Sequence, residues 1–310
     1  MDEAGGRSAH RDSRLGATLV GAIAVLLWAT LALFTTVAAA IPPFELVALT
    51  FSIAFLLFLG KWSLARARGG APVFSHLAQP GRAWLLGVAG LFGYHALYFT
   101  DFAHAPAVDA SLIAYLWPLL LVLFSALLPG ERLRWWHVVG GLAGFAGAAL
   151  LVLQGSGSGP SFSSAYLPGY LAALGCAFTW SGYSLLSRRL GHVPSDAVGG
   201  FCGVTALLGL IVHMATELTV WPGLAGWFAV LALGLGPVGI AFFVWDYGVK
   251  RGDIQVLGAV AYASPLISTL LLVIFGRAEA SVGLALACLL IVGGAFLAAK
   301  DIVRLRARLV

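Results

Sequence analysis

Long apolar runs alternate with short polar breaks along the whole chain, and the runs predict its elements. Ten stretches, roughly 16–39, 43–61, 83–103, 107–128, 135–153, 167–187, 196–216, 223–248, 254–276 and 280–300, are almost free of charge. A bilayer core about 30 Å thick needs about 20 such residues per helix, so each stretch is long enough to cross one. The first run follows Arg7, Arg11 and Arg14 and ends near "VAAA", the outline of a signal peptide. It is longer than an h-region of about 7–15 residues, and further runs follow it, so it is read as span 1.

The breaks carry charge in alternation. Lys61, Arg66, Arg68 and Arg82 follow span 2, Arg132 and Arg134 follow span 4, and Arg188 and Arg189 follow span 6. Lys250 and Arg251 follow span 8; Lys300, Arg304, Arg306 and Arg308 follow span 10. The other breaks hold only Arg277. Positive charge collects in short cytoplasmic loops, so the pattern predicts an even number of spans with both termini cytoplasmic. Trp62, Trp84, Trp135, Trp136, Trp221 and Trp227 fall near span ends, where rings settle among lipid headgroups.

A second regularity divides the chain. "AYLWPL" at Ala114–Leu119 in span 4 returns as "AYASPL" at Ala261–Leu266 in span 9. "LLWAT" around Trp28 in span 1 is echoed by "FTWSG" around Trp180 in span 6. "GLFGYHALYFTD" in span 3 is matched by "GLGPVGIAFFVWD" in span 8, and spans 5 and 10 both carry paired glycines. Between the halves lies "QGSGSGPSFSSA", with the composition of a flexible linker. The predicted organisation is a cytoplasmic tail (1–15), a first five-span unit (16–153), an extracytoplasmic linker (154–166), a second unit (167–303) and a second cytoplasmic tail (304–310). Five is odd, so the second unit enters the membrane from the opposite side. The fold class that follows is an all-α polytopic membrane protein of two inverted five-helix repeats, with a site where they meet near the midplane. Pro118 and Pro265, matched in the two hexapeptides, break spans 4 and 9 where interior faces can take up the freed carbonyls. Gly234 and Pro237 in "GLGP" mark a hinge in span 8.

Composition sharpens this picture. The 310 residues are 60% hydrophobic and only 10% charged, too few charges to coat a soluble globule. The net charge of +5 sits in the breaks as a topology signal, and no nucleic-acid partner is expected. Cys176, Cys202 and Cys288 lie inside apolar runs and are read as small buried hydrophobes. No phosphate-binding glycine loop or paired metal-ligand spacing occurs, so neither an ATP-driven pump, a cofactor nor a metal is expected.

Ionisable and aromatic residues inside spans are the candidates for function, because burying polar groups in hydrocarbon is costly. Tyr94, Tyr98 and Asp101 share one stripe of span 3, with His95 about 100° around the helix. Asp101 is a candidate partner for a substrate ammonium or a proton, unless it simply reaches water at the span's end. Asp246 is expected to pair with Lys250 or Arg251. Trp117 stands where the second hexapeptide has Ser264, and repeats diverge at a ligand. Trp180 and Tyr183 form a stripe on span 6, and Tyr115 and Tyr262 are the tyrosines of the two hexapeptides. If these stripes meet, rings enclose a chamber suited to a flat solute bearing an ammonium.

Together, the five-plus-five repeat, the tryptophans of spans 1 and 6, A-Y-x-x-P-L in spans 4 and 9 and the Gly130–Glu131 step before span 5 resemble the EamA branch of the drug/metabolite transporter superfamily, over roughly 16–303. "GYHALYFTDFAHAPAVDASLIAYLWPL" is similar, more closely, to bacterial YddG-type exporters of aromatic amino acids. One departure is that Glu279 follows Arg277 and Ala278, a residue later than the first-half pattern. The resemblance implies an inner-membrane carrier, not an enzyme, exporting small metabolites by alternating access. Amino acids, aromatic ones foremost, are the expected substrates. Cationic drugs or other metabolites are the alternative within the same fold, and a membrane-embedded enzyme acting on lipid is the alternative outside it. His95 and Asp101 lie about 120° apart on their helix, which weakens the enzyme reading. Ten helices suffice for a cavity in a monomer, with lipid and a small solute as the partners.

Overall fold

The computed structural model describes residues 2–156, 159–160, 162–274 and 281–300, all of them helical or in connecting turns. In chain order the main helices are α1 (Ser13–Val37), α2 (Pro43–Ala67), α3 (Gly81–His104), α4 (Ala107–Leu127), α5 (Trp135–Gln154), α6 (Leu167–Arg189), α7 (Ala197–Thr216), α8 (Leu224–Arg251), α9 (Ile254–Leu271) and α10 (Val282–Ala298). Eight of them are long and apolar enough to cross a membrane. The other two are α6 and the 17-residue α10. Ser181, Ser184, Ser187, Arg188 and Arg189 dilute the apolar character of α6. It tolerates them because neighbouring helices bury Ala173, Cys176, Ala177, Trp180, Ser181 and Ser184, so these positions meet protein rather than lipid. Arg277, Glu279 and residues 304–310 lie outside the described residues.

The helices pack in pairs that join the first half of the chain to the second: α1 with α8, α2 with α7, α3 with α6, α4 with α9 and α5 with α10. Each pair is antiparallel. Gly21 meets Gly248 while Trp28 reaches Pro237, and Gly140 meets Gly294 while Gly147 meets Ile291. Glycine permits the closest of these crossings, since a Cβ on Gly140 would lie 2.5 Å from the carbonyl oxygen of Gly294.

Several helices depart from α geometry; α1 is interrupted at Ala29 and Thr30 and α9 at Tyr262. The matched glycine-rich stretches of α3 and α8 are both wound as π-turns, at Ala89–Gly93 and Gly234–Ile240. Such turns free backbone carbonyls for other partners. In α4 the helix breaks around Tyr115 and Leu116, just before Pro118.

Two expectations need correction. Trp62 is only 1% exposed and does not anchor in headgroups. The end of α2 abuts Asp196 and Gly199 at the start of α7, and Trp62 Nε1 donates to Asp196 Oδ1 at 3.2 Å. Trp136 is likewise buried, whereas Trp135 and Trp221 are exposed. The described part of the linker is not loose. The Phe162 amide donates to Asp109 Oδ2 at 3.1 Å, and the Ser163 amide donates to the hydroxyl of Tyr170 at 3.1 Å.

Candidate functional site

Four tryptophans from four helices converge at the centre of the bundle. Trp28 (α1) lies 5.6 Å from Trp180 (α6), 6.3 Å from Trp117 (α4) and 5.1 Å from Trp245 (α8), centroid to centroid. Trp117 is 6.4 Å from Trp180 and 5.7 Å from Trp245, both edge to face. This geometry sets the positive ring edge against the negative ring face. The cluster is pinned by its nitrogens: Trp28 Nε1 donates to the Pro237 carbonyl at 3.1 Å and Trp245 Nε1 to Ser184 Oγ at 3.0 Å. Pro237 lies in the π-turn of α8.

Above this floor opens a cavity of about 590 Å³. Its walls come from mid-helix outward on the side where α1 ends and α2 begins, as Thr35, Leu46, Val152 and Ser268 mark. Among the described residues, no Asp, Glu, Lys or Arg lines it. Tyr94, His95, Tyr98, Tyr115, Trp117, Trp180 and Ser264 stand in the wall, with Pro237 and Pro265. Tyr94 and Tyr98 stack at 6.0 Å, and Tyr94 lies 5.7 Å from Trp180.

His95 has an assignable tautomer. Its Nδ1 lies 2.7 Å from the Leu91 carbonyl oxygen, in the π-turn of α3. A carbonyl only accepts, so Nδ1 carries the hydrogen; the ring in its neutral form presents Nε2 as an acceptor. The wall hydroxyls of Thr35, Thr50 and Thr269 already donate to carbonyls of their own helices. Pro118 and Pro265 have no N–H for the carbonyls of Ala114 and Ala261, and both alanines line the cavity.

Three candidates lie elsewhere. Asp101 is fully buried outside the cavity wall, and neither carboxylate oxygen has a hydrogen-bond partner among the described residues. The reason is that α6 closes over the outer part of α3: Gly169, lacking a side chain, lets Ala105 approach it. Tyr183 lies one turn past Trp180 toward the closed end, stacked on it at 5.2 Å and seated against Gly90. Tyr262 is fully buried between α4, α5 and α9. Pro118 and Gly234 are buried at the α4 break and the α8 π-turn. Asp246 lies 2.7 Å from Lys250 Nζ, near but poorly aligned for a hydrogen bond. Trp28 and Phe242 join the wall and were missed. The echo between the tryptophans of spans 1 and 6 pointed to Trp28; nothing in the pattern singled out Phe242.

The end opposite the cavity is held by charge. Glu131, between α4 and α5, accepts from Arg14 Nη2 at 3.0 Å on both oxygens and from Arg188 Nη2 on Oε1. Arg188 also donates to the carbonyls of Val249 (2.9 Å) and Gly252 (2.7 Å), and Arg14 lies 3.2 Å from Asp253. The cluster therefore ties α1, the α4–α5 turn, α6 and the α8–α9 turn together.

Comparison with known proteins gives a consistent result. The sequence pattern of the EamA-like transporter family matches residues 15–153 and 167–300. The aromatic amino acid exporter YddG of Ancylobacter novellus is 53% identical over 286 residues, 92% of this chain and 98% of that protein. The aromatic amino acid exporter YddG of Escherichia coli is 25% identical over 92% of this chain and 97% of its own length. A crystal structure of a protein 52% identical in sequence matches with a TM-score of 0.86, covering 93% of this chain and 99% of that one.

Proposed function

The chain belongs to the EamA-like transporter family, as a multi-pass inner-membrane transporter and not an enzyme, and from that premise we propose that it exports amino acids, aromatic ones foremost, by alternating access through the ring-walled cavity. The observation that carries this reading is the chemistry of the wall: many aromatic rings and hydroxyls, one imidazole and, among the described residues, no charged side chain. Such a wall suits a solute with an apolar ring and no net charge. The rings contribute about 0.5–1.5 kcal/mol for each aromatic pair beyond area burial. His95 Nε2 and the carbonyls freed by the two prolines receive the ammonium; Tyr and Ser hydroxyls serve the carboxylate. A permanent cation would find rings but no carboxylate among the described residues of the wall, which disfavours the cationic-drug alternative. Export as the direction rests on the names of the relatives.

The transport cycle we propose uses ten spans in two inverted five-helix units (16–153 and 167–303) with both termini cytoplasmic. The antiparallel pairing supports it: α1–α8 and α6–α3 are equivalent pairs, while α2–α7, α4–α9 and α5–α10 each join a helix to its own counterpart. In this topology the cavity opens away from the cytoplasm, and the Glu131 cluster closes the cytoplasmic end.

Counterflow in proteoliposomes tests the reading, with labelled tryptophan, phenylalanine, serine and a quaternary ammonium dye. Tryptophan and phenylalanine should exchange, and Trp117→Ala or Tyr94→Ala should slow them. Exchange of the dye but of no amino acid would overturn the proposal.

A further inference from the structure

Spans 4 and 9 repeat one hexapeptide, yet its two tyrosines are placed differently. We infer that Tyr262 and Tyr115 are exchangeable positioning residues, each able to latch the proline break of the opposite half, with Tyr262 engaged in the state described here.

The Tyr262 hydroxyl accepts from the Leu119 amide at 3.1 Å and donates to the Tyr115 carbonyl at 3.0 Å. In an unbroken α-helix that amide would bond that carbonyl directly, four residues back. The hydroxyl is thus inserted into a single turn of α4 and holds it apart just before Pro118. The inserted ring is fully buried and seated against Gly144, where a Cβ would lie 2.5 Å from it. Its counterpart, Tyr115, stands in the cavity wall, and its hydroxyl makes no hydrogen bond among the described residues. The sequence supplies the mirror of every part: Tyr115 for Tyr262, Leu266 for Leu119, Pro265 for Pro118. The α4 and α9 breaks already face one another, since Gly258 of α9 packs on Pro118 and Val122 of α4.

Withdrawal of Tyr262 would let the 119–115 bond re-form and α4 straighten. α9 is already interrupted at Tyr262 without such an insertion, and Tyr115 placed between the Leu266 amide and the Tyr262 carbonyl would hold that break apart as Tyr262 now holds the break in α4. In each arrangement one hydroxyl serves one amide and one carbonyl, so the inserted group meets its backbone partners in the membrane interior either way. The latch passes from one half to the other, and with it the side on which the cavity opens. This inference rests on the alternating-access reading above.

The test uses full-length protein in lipid nanodiscs with Cys176, Cys202 and Cys288 replaced by alanine. Two single-cysteine reporters are introduced separately: Ser268→Cys in the cavity wall and Ser125→Cys, buried at the closed end. Rates of maleimide labelling are measured for each, in Tyr262→Phe and Tyr115→Phe backgrounds. Phenylalanine keeps the ring and removes only the hydroxyl. Tyr262→Phe should slow labelling at position 268 and speed it at 125, on the order of fivefold, the worth of one or two neutral hydrogen bonds. Tyr115→Phe should move both rates in the opposite direction. Same-sign effects, or no effect, overturn the latch; a merely structural tyrosine would loosen both ends alike. Should saturating tryptophan fail to move the two reporters reciprocally in the unaltered chain, alternating access itself fails, a result separable from the first.

Discussion

Replacing Glu131 with glutamine is expected to loosen the closed end of the cavity. Glutamine keeps the shape of the side chain and removes the charge that two guanidiniums share. Glu131 is 8% exposed, Arg188 18% and Arg14 37%. Breaking a fully buried ion pair costs about 3–5 kcal/mol, and an exposed one about 0–1 kcal/mol. This cluster lies between those limits. Arg188 keeps the carbonyls of Val249 and Gly252, and Arg14 keeps Asp253, so neither guanidinium is orphaned. The Arg14 arm is discounted to a few tenths of a kcal/mol for its exposure. The Arg188 arm dominates, and the total comes to about 2 kcal/mol, roughly a 30-fold shift toward forms open at this end. A cysteine at position 125, hidden behind the cluster, reports that population through its rate of maleimide labelling. The control is Asp196→Asn, which removes the partner of Lys61 from a pair 46% and 27% exposed. Its effect should be less than about fivefold. Equal acceleration by the two substitutions would refute the assignment of Glu131 as the tie that closes this end.

Three further outcomes follow from the geometry. His95→Leu removes the acceptor Nε2 while keeping bulk, and should raise the KM for exchanged amino acids by about tenfold, as the loss of one hydrogen bond to a charged group predicts; counterflow concentration series measure it. Trp28→Phe leaves the Pro237 carbonyl without its donor and trims the cavity floor, so the counterflow rate should fall while the protein still folds, as size-exclusion chromatography would verify. Glu217 accepts the Phe44 and Glu45 amides at 3.0 and 3.1 Å, and its Oε2 lies 2.9 Å from His213 Nδ1. Glu217→Ala should therefore uncap α2 at a cost on the order of 2 kcal/mol, seen as a lower Tm in detergent.

Much of the fold was legible as pattern. Apolar run length located the helices because the bilayer imposes one length on every span, and eight of the described helices meet it. The glycine-rich echoes in spans 3 and 8 flagged a shared irregularity, although not that both would be π-turns. Trp117 was readable because the repeat diverges there to Ser264, and Trp180 because it echoes Trp28. Asp101 was not readable: periodicity placed it on the Tyr94 and Tyr98 face, but the approach of α6 at Gly169 sealed it away from the cavity that those tyrosines line. Tyr262 was equally hidden, since sequence makes it the twin of Tyr115.

What the amino-acid sequence determined alone is therefore everything local or periodic: where helices run, where prolines and glycines weaken them, and which faces are aromatic. What tertiary structure decided is how each helix is rotated and where its neighbours cross it. Those choices assigned Tyr115 to the cavity and Tyr262 to the α4 break, and gathered Arg14, Glu131, Arg188 and Asp253 from distant parts of the chain. The physical reason is that helical period fixes angles only about a helix's own axis, whereas burial and hydrogen bonding across the bundle depend on close packing between helices, which no single segment encodes.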